Sequence, residues 1–136
     1  MKLVADANVL LAAVLGGRAR AVLQHPEIDE VLTAEATLAE VEEYAVVLAR
    51  KRRLSLDTLL LAIAALPVTV VEQAVYSSAL LRARRLIARR DPDDIDILAL
   101  ALHMKLPVWS NDNDFEATGI EWCTTAELLR KLGTVG

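Results

Sequence analysis

Short apolar strand segments that alternate with helical segments constrain the fold of this chain more than any other feature. The strand segments lie at 2–5, 30–32, 68–71, 108–109 and 120–123. Helices are predicted over 8–15, 18–24, 34–53, 55–66, 72–90, 95–104 and from 124 or 125 to 132. Strands that are apolar on both sides are typical of a parallel sheet covered on both faces. The alternation therefore predicts an α/β domain with a parallel sheet between helices.

Length and composition favour one folded domain that spans residues 1–136. Hydrophobic residues make up 54% of the chain and charged residues 25%, which is typical of a globular protein. The single cysteine, Cys123, excludes an intramolecular disulfide and fits a cytoplasmic protein. Asp6 and Asn8 interrupt the apolar N-terminal run, which therefore predicts a strand and a helix instead of a signal sequence. The other apolar runs are too short to cross a bilayer, so no membrane association is expected.

The basic residues are clustered, although the formal net charge of −4 is unfavourable for binding nucleic acid. Nine of the fifteen lysines and arginines lie in two patches, at 50–53 and 82–90. In the second patch Arg82, Arg85 and Arg89 are at helical spacing, and they are predicted to contact RNA phosphates. The alternative explanation is a basic helix face that is simply solvated.

Six aspartates surround one predicted helix and one predicted strand in the segment 91–115, DPDDIDILALALHMKLPVWSNDNDF. Ligands of a parallel sheet bind at the carboxyl ends of its strands. Asp6 follows the first strand, Asp112 follows the strand at 108–109, and Asp94 opens the helix between them. Glu40 lies about two turns into the long helix, on the side that can reach the same edge. The sequence therefore predicts that four acids from four segments meet in one pocket.

Each acid alone also has an ordinary structural explanation. Asp6 and Asp94 can be helix N-caps, and Glu40 can be a solvated residue of a surface helix. Asp112 and Asp114 can be turn residues that accept hydrogen bonds from their own backbone. Their coincidence favours a site, because four clustered carboxylates require raised pKa values or a cation. Mg²⁺ or Mn²⁺ is the cation that suits an all-oxygen set of ligands.

These acidic segments resemble, in order and spacing, the four motifs of the PIN-domain family over essentially the whole chain. The motifs are LVADANVLLAAV with Asp6, TLAEVEEY with Glu40, DPDDIDILALALHMKLP with Asp94, and VWSNDNDF with Asp112. The resemblance implies a three-layer α/β/α sandwich with a short central parallel sheet of four to five strands. It also implies metal-dependent ribonuclease activity, as in the VapC toxins, which have an antitoxin protein as partner. Asn8 and Ser110 are implied to support the site.

The third motif departs from the family pattern, which usually has one aspartate at this point. Here four aspartates compete, at Asp91, Asp93, Asp94 and Asp96. Asp94 is chosen because it occupies the helix-start position when counted back from Pro107. The other three receive no role from the sequence. Asp114 is expected to be an additional metal ligand.

The leading hypothesis is an endoribonuclease that hydrolyses RNA phosphodiester bonds with water activated by one or two Mg²⁺ or Mn²⁺ ions. The alternative is a catalytically inactive PIN-like RNA-binding or assembly module, and the presence of all four acids argues against it. A phosphatase-type hydrolase is a third candidate. Asn8 argues against a phosphatase, because it occupies the position where such an enzyme would have a second aspartate.

Apolar residues are concentrated around the start of the helix predicted at 55–66. They are Leu54, Leu56, Leu59, Leu60 and Leu61. A chain of this size does not easily bury all of these side chains. The sequence therefore predicts a homodimer.

Overall fold

The computed structural model describes residues 1–87 and 92–133 and has five parallel strands with helices on both faces of the sheet. The strands are β1 (Lys2–Ala5), β2 (Glu30–Ala34), β3 (Thr69–Val71), β4 (Val108–Trp109) and β5 (Trp122–Cys123). The helices are α1 (Ala7–Val14), α2 (Arg18–Leu23), α3 (Glu35–Arg52), α4 (Leu56–Ala64), α5 (Gln73–Tyr76), α6 (Leu80–Ile87), α7 (Ile95–Met104) and α8 (Thr125–Lys131). The predicted α/β/α sandwich with a short parallel sheet is confirmed.

The strand order β3-β2-β1-β4-β5 places a switch in chain direction beside β1. From β1 the chain moves to β2 and β3 on one side, and it later returns to β4 on the other side. Val4 is paired with Leu32 of β2 and with Val108 of β4. A crevice forms at the carboxyl ends of two strands where the order switches, and it is the usual ligand site of such a sheet. Asp6 and Ser110, which follow β1 and β4, therefore lie at this crevice.

Two apolar clusters occupy the two faces of the sheet because successive strand residues point to opposite sides. Leu3, Ala5 and Trp109 belong to the cluster under α1, α2, α3, α4 and α8. Val4 and Val108 belong to the cluster under α5, α6 and α7. All five side chains are fully buried, which explains why the strand segments are apolar throughout. Within the described ranges, none of the helices combines the length and apolarity that a bilayer crossing requires.

The continuous helix predicted over 72–90 was wrong. The structure has α5, then a 3₁₀ turn at Ser77–Ala79, and then α6, which ends at Ile87. The Ser77 hydroxyl donates a hydrogen bond to the Ala74 carbonyl at 3.2 Å. Serine side chains that bond to the preceding turn favour bends and helix ends, which accounts for the break. Residues 88–90 of the predicted helix lie outside the described residues.

The start of α8 fixes the loop that follows β4. Thr124 is the N-cap and forms a capping box with Glu127, in which each side chain bonds to the backbone of the other residue. Hydrogen bonds from the Thr124 backbone and hydroxyl lower the pKa of the Glu127 carboxyl below its ordinary value. The next N–H, that of Thr125, donates to Asn111 Oδ1 at 2.9 Å. This contact holds Asn111, and with it the loop after β4, against α8.

Candidate functional site

A pocket at the crevice between β1 and β4 contains all four acids that the sequence singled out. Asp6 follows β1, and Asp112 lies in the loop after β4. Asp94 ends the 3₁₀ turn before α7, and Glu40 lies in the second turn of α3. These four side chains line the pocket together with Ala7, Asn8, Leu11 and Tyr44. The structure therefore brings together acids from four distant segments of the chain.

Asp6 is a helix cap and a pocket residue at the same time. Its side chain is almost fully buried, with 4% exposed. Asp6 Oδ1 accepts a hydrogen bond from the Ala7 backbone N–H at 2.8 Å, which caps α1. Asp6 Oδ2 accepts bonds from Ser110 Oγ at 2.9 Å and from Asn8 Nδ2 at 3.2 Å. The cap holds the carboxylate in a single orientation at the mouth of the crevice.

Ser110 joins the ends of β1 and β4 through a fully buried hydroxyl. This hydroxyl donates to Asp6 Oδ2 and accepts bonds from the Asp112 backbone N–H and from Asn8 Nδ2, both at 3.0 Å. Asn8 Oδ1 in turn accepts a bond from the Asn111 N–H at 3.1 Å. Asn8 and Ser110, which the family resemblance named as supporting residues, thus contact the acids directly and tie two segments of the pocket together.

Asp94, Asp112 and Asp114 form a set of side chains that can hold a cation. Each offers a carboxylate oxygen, and the three oxygens lie within 4.8 Å of one another. Ligands on opposite sides of a Mg²⁺ ion are about 4.2 Å apart, because each bond is about 2.1 Å long. Asp112 Oδ1 also accepts the Asp114 N–H at 3.0 Å, so the turn that was the alternative explanation is present as well. The turn directs both carboxylates toward Asp94.

The structure separates the aspartates that compete in the third motif. Asp94 is buried, with 5% exposed, and lines the pocket. Asp93 is exposed to solvent. Asp91 lies outside the described residues. The choice of Asp94 as the pocket residue therefore agrees with where the chain places it.

Asp96 has a structural contact that the sequence did not reveal. Its Oδ1 accepts hydrogen bonds from the Tyr76 hydroxyl at 2.6 Å and from Gln73 Nε2 at 3.1 Å. Burial, together with the neighbouring Asp96 carboxylate, raises the pKa of the Tyr76 phenol above its ordinary value. Both donors lie on α5, so Asp96 attaches that short helix to the first turn of α7.

The arginines predicted to contact phosphates lie on or beyond α6. Arg82 lines a shallow depression with Lys105, at the C-terminal end of α7. Asp94 lies at the other end of α7, a helix of ten residues and therefore about 15 Å long. Arg85 is exposed, and Arg89 lies outside the described residues. Contact between these arginines and phosphate stays a prediction.

Leu11 and Tyr44 line the pocket, although the sequence analysis did not single out either residue. Leu11 lies one turn of α1 beyond Ala7, and Tyr44 lies one turn of α3 beyond Glu40. Residues four apart share a helix face, so the i+4 spacing from Glu40 was the available signal for Tyr44.

The protein is an α/β domain with an acidic pocket at the carboxyl edge of a parallel sheet, beside the switch point where such domains usually bind ligands. The family model described as PIN domain matches residues 4–133. The chain therefore belongs to the PIN-domain family.

Several solved structures have a similar fold. A protein from Pyrobaculum aerophilum has a TM-score of 0.72 at 17% identity, with 99% of this chain and 97% of that chain covered. A toxin–antitoxin complex from Klebsiella pneumoniae has a TM-score of 0.65 at 20% identity, with 90% and 97% covered. The Mycobacterium tuberculosis toxin VapC20, described as cleaving the sarcin–ricin loop, has a TM-score of 0.59 at 19% identity, with 87% and 95% covered. No curated protein sequence matches the chain.

Proposed function

We propose that this chain is a metal-dependent endoribonuclease that hydrolyses RNA phosphodiester bonds, as the VapC-type toxin of a toxin–antitoxin pair. The observation that carries the proposal is the meeting of Asp6, Glu40, Asp94 and Asp112 in one pocket at the switch point of the sheet. Membership of the PIN-domain family and a fold shared with a loop-cleaving toxin support it.

The donor set fits a hard divalent cation. Asp94, Asp112 and Asp114 offer only carboxylate oxygens, which Mg²⁺ and Mn²⁺ prefer. Asp6 and Glu40 line the acidic pocket with Asp94 and Asp112 and would supply further oxygens for one or two ions, whereas Asp114 lines the adjoining depression with Asp112.

The residues of the chain orient the reacting groups. A bound Mg²⁺ or Mn²⁺ ion supplies a Lewis acid that lowers the pKa of water and offsets the negative charge of a phosphodiester. Ser110 and Asn8 fix the Asp6 carboxylate, so that its charge does not have to reorient during the reaction. The turn from Asp112 to Asp114 presents two carboxylates on one short piece of backbone.

Cleavage of an RNA panel tests the proposed activity. The purified chain is incubated with transfer, ribosomal and messenger RNA in Mg²⁺, in Mn²⁺ or in chelator. We expect internal cleavage with either metal and none in chelator, because the carboxylate pocket binds phosphodiesters only when its charge is offset. Asp6→Asn is the matched control and should be inactive. If no RNA is cleaved in either metal and Asp6→Asn binds Mn²⁺ as well as the unaltered chain does, the catalytic proposal fails in favour of the RNA-binding or assembly module.

The partners of the chain are part of the same proposal. One solved structure of similar fold is described as a toxin–antitoxin complex, which supports an antitoxin protein as a partner. Leu61 is 72% exposed, with Leu54 and Leu60 exposed near it, which supports burial in a homodimer.

Light scattering measures the mass of the particle in solution and so tests both the homodimer and the complex with an antitoxin. We expect a dimer at micromolar concentration for the chain alone, because pairing would bury the exposed leucines. If a small antitoxin-like reading frame lies just upstream of the gene, we expect a larger complex when it is co-expressed. Leu61→Glu is the control and should give a monomer. A monomeric unaltered chain contradicts the dimer, and the absence of co-purification contradicts the antitoxin assignment.

A further inference from the structure

Tyr44 differs from the other aromatic residues of this chain in its exposure. The chain has only five aromatic side chains. Tyr76, Trp109 and Phe115 are completely buried, and Trp122 is partly buried. Tyr76 and both tryptophans also donate hydrogen bonds within the protein. Tyr44 is 46% exposed, and its phenol has no hydrogen bond to any residue in 1–87 or 92–133.

The exposed ring of Tyr44 lies in the wall of the acidic pocket. Tyr44 and Glu40 are four residues apart on α3, and both line the pocket. On α1, Ala7 and Leu11 repeat this spacing, and both line the pocket too. One helical turn rises about 5.4 Å, so Tyr44 lies about one turn along α3 from Glu40, and Leu11 lies about one turn along α1 from Ala7.

A purely structural role does not require an aromatic side chain at this position. The inward face of α3 is formed by Val41, Ala45 and Leu48, which belong to the buried core, whereas Tyr44 does not. If Tyr44 served only to cover Leu11, its replacement would change the stability of the fold and leave substrate binding unchanged. An exposed aromatic ring in the wall of a pocket is suited to a planar ligand, because base–aromatic stacking uses the π-face and tolerates any base.

We propose that Tyr44 stacks on an unpaired nucleobase next to the phosphodiester that the acids receive. The inference rests on the proposed function, which places a phosphodiester at the acids. A base paired within a duplex keeps its faces stacked on its neighbours and cannot reach Tyr44. An unpaired base can turn out of the strand and lie on the ring while the adjacent phosphate lies at the acids.

Cleavage kinetics of a short single-stranded oligoribonucleotide test the stacking contact. The probe is a mixed-sequence oligoribonucleotide that contains one bond mapped as cut by the unaltered chain. For Tyr44→Ala we expect KM to rise about tenfold, which is about 1.4 kcal/mol. We expect kcat to stay within about threefold, because stacking acts on binding and not on the reacting atoms. Tyr44→Phe and Tyr44→Trp should keep KM near its original value, because both retain an aromatic face.

A second form of the probe carries an abasic ribose beside the scissile bond. The unaltered chain should bind this probe about tenfold more weakly, and Tyr44→Ala should lose nothing further, because both changes remove the same contact. Val46→Ala is the matched control: Val46 is 39% exposed on α3 but does not line the pocket. This variant should leave KM unchanged for both probes.

The results separate a failure of stacking from a failure of the proposed function. If the unaltered chain cleaves RNA and Tyr44→Ala keeps the original KM, or Tyr44→Phe is as impaired as Tyr44→Ala, stacking is overturned while the ribonuclease stands. If the unaltered chain cleaves no RNA, the same variants are compared by fluorescence anisotropy of the labelled oligonucleotide in Mg²⁺. A tenfold larger dissociation constant for Tyr44→Ala then supports stacking in an inactive RNA-binding module. Equal constants, or no binding at all, overturn it.

Discussion

Asp94→Asn is expected to lower the rate of RNA cleavage by a factor of about a hundred or more. Asp94 combines burial with a place in the carboxylate set that can hold a cation. A metal ion supplies several kcal/mol of charge stabilisation in the transition state, and each 1.4 kcal/mol is a factor of ten in rate. Asparagine keeps the size of the side chain and removes the charge that would hold the ion. The loss should therefore appear in kcat and in Mn²⁺ affinity, measured by single-turnover cleavage and by titration calorimetry.

The neighbouring residue provides a matched control for this prediction. Asp93→Asn makes the same chemical change one position earlier, at a side chain that is exposed to solvent. It should change the rate by less than about twofold, since surface charges are screened by water and salt. Circular dichroism of both variants establishes that they are folded. A large loss for Asp93→Asn together with an active Asp94→Asn would move the metal-ligand role from Asp94 to Asp93.

The aspartates that follow strands were predictable because all parallel strands of one sheet have their carboxyl ends at the same edge. Once the strands at 2–5 and 108–109 were predicted to run parallel in one sheet, the residues that follow them had to lie at the same edge. Asp6 and Asp112 meet for that reason. Glu40 was predictable from helix phase, because Val41, Ala45 and Leu48 turn one face of α3 inward and leave Glu40 at the margin. Glu42 and Glu43 on the same helix are exposed.

The contacts that the sequence did not reveal depend on tertiary packing. The bond from Tyr76 to Asp96 joins residues of two helices, and periodicity within one helix carries no information about it. The break after Tyr76 was missed because the apolar spacing of 72–90 continues through it, while the hydroxyl of Ser77 bonds to the backbone. Tyr44 was missed because an isolated tyrosine on a long helix has no signature until the opposite wall of its pocket is known.

Ser110 shows how a small residue can connect the pocket without being one of the acids. In the sequence it is a single serine after a two-residue strand, and only the family resemblance gave it a role. In the structure its hydroxyl contacts Asp6, Asn8 and the Asp112 backbone. These contacts depend on the register between β1 and β4. Ala5 is paired with Trp109, so the residues that follow them, Asp6 and Ser110, lie side by side.

Ser110→Ala is expected to lower kcat by a factor of about ten to a hundred and to destabilise the fold by about 1–3 kcal/mol. Alanine removes the donor to Asp6 Oδ2 and leaves the Asp112 N–H without its acceptor. The stability cost follows because a partly buried N–H then lacks a hydrogen bond. The activity cost follows because the Asp6 carboxylate loses one of the three hydrogen bonds that hold its orientation. Denaturant unfolding and single-turnover cleavage measure the two effects.

Two comparisons separate orientation of the site from simple loss of stability. Ser78→Ala removes an exposed hydroxyl from the 3₁₀ turn between α5 and α6, at a residue that does not line the acidic pocket, and should change neither stability nor rate appreciably. Cleavage by Ser110→Ala is measured well below its unfolding temperature, where all molecules are folded, so a remaining loss in kcat reflects misplaced carboxylates. The loss should be accompanied by weaker Mn²⁺ binding, because Asp6 and Asp112 no longer share a fixed hydrogen-bond partner. Full activity of folded Ser110→Ala would show that the β1–β4 register alone positions both acids.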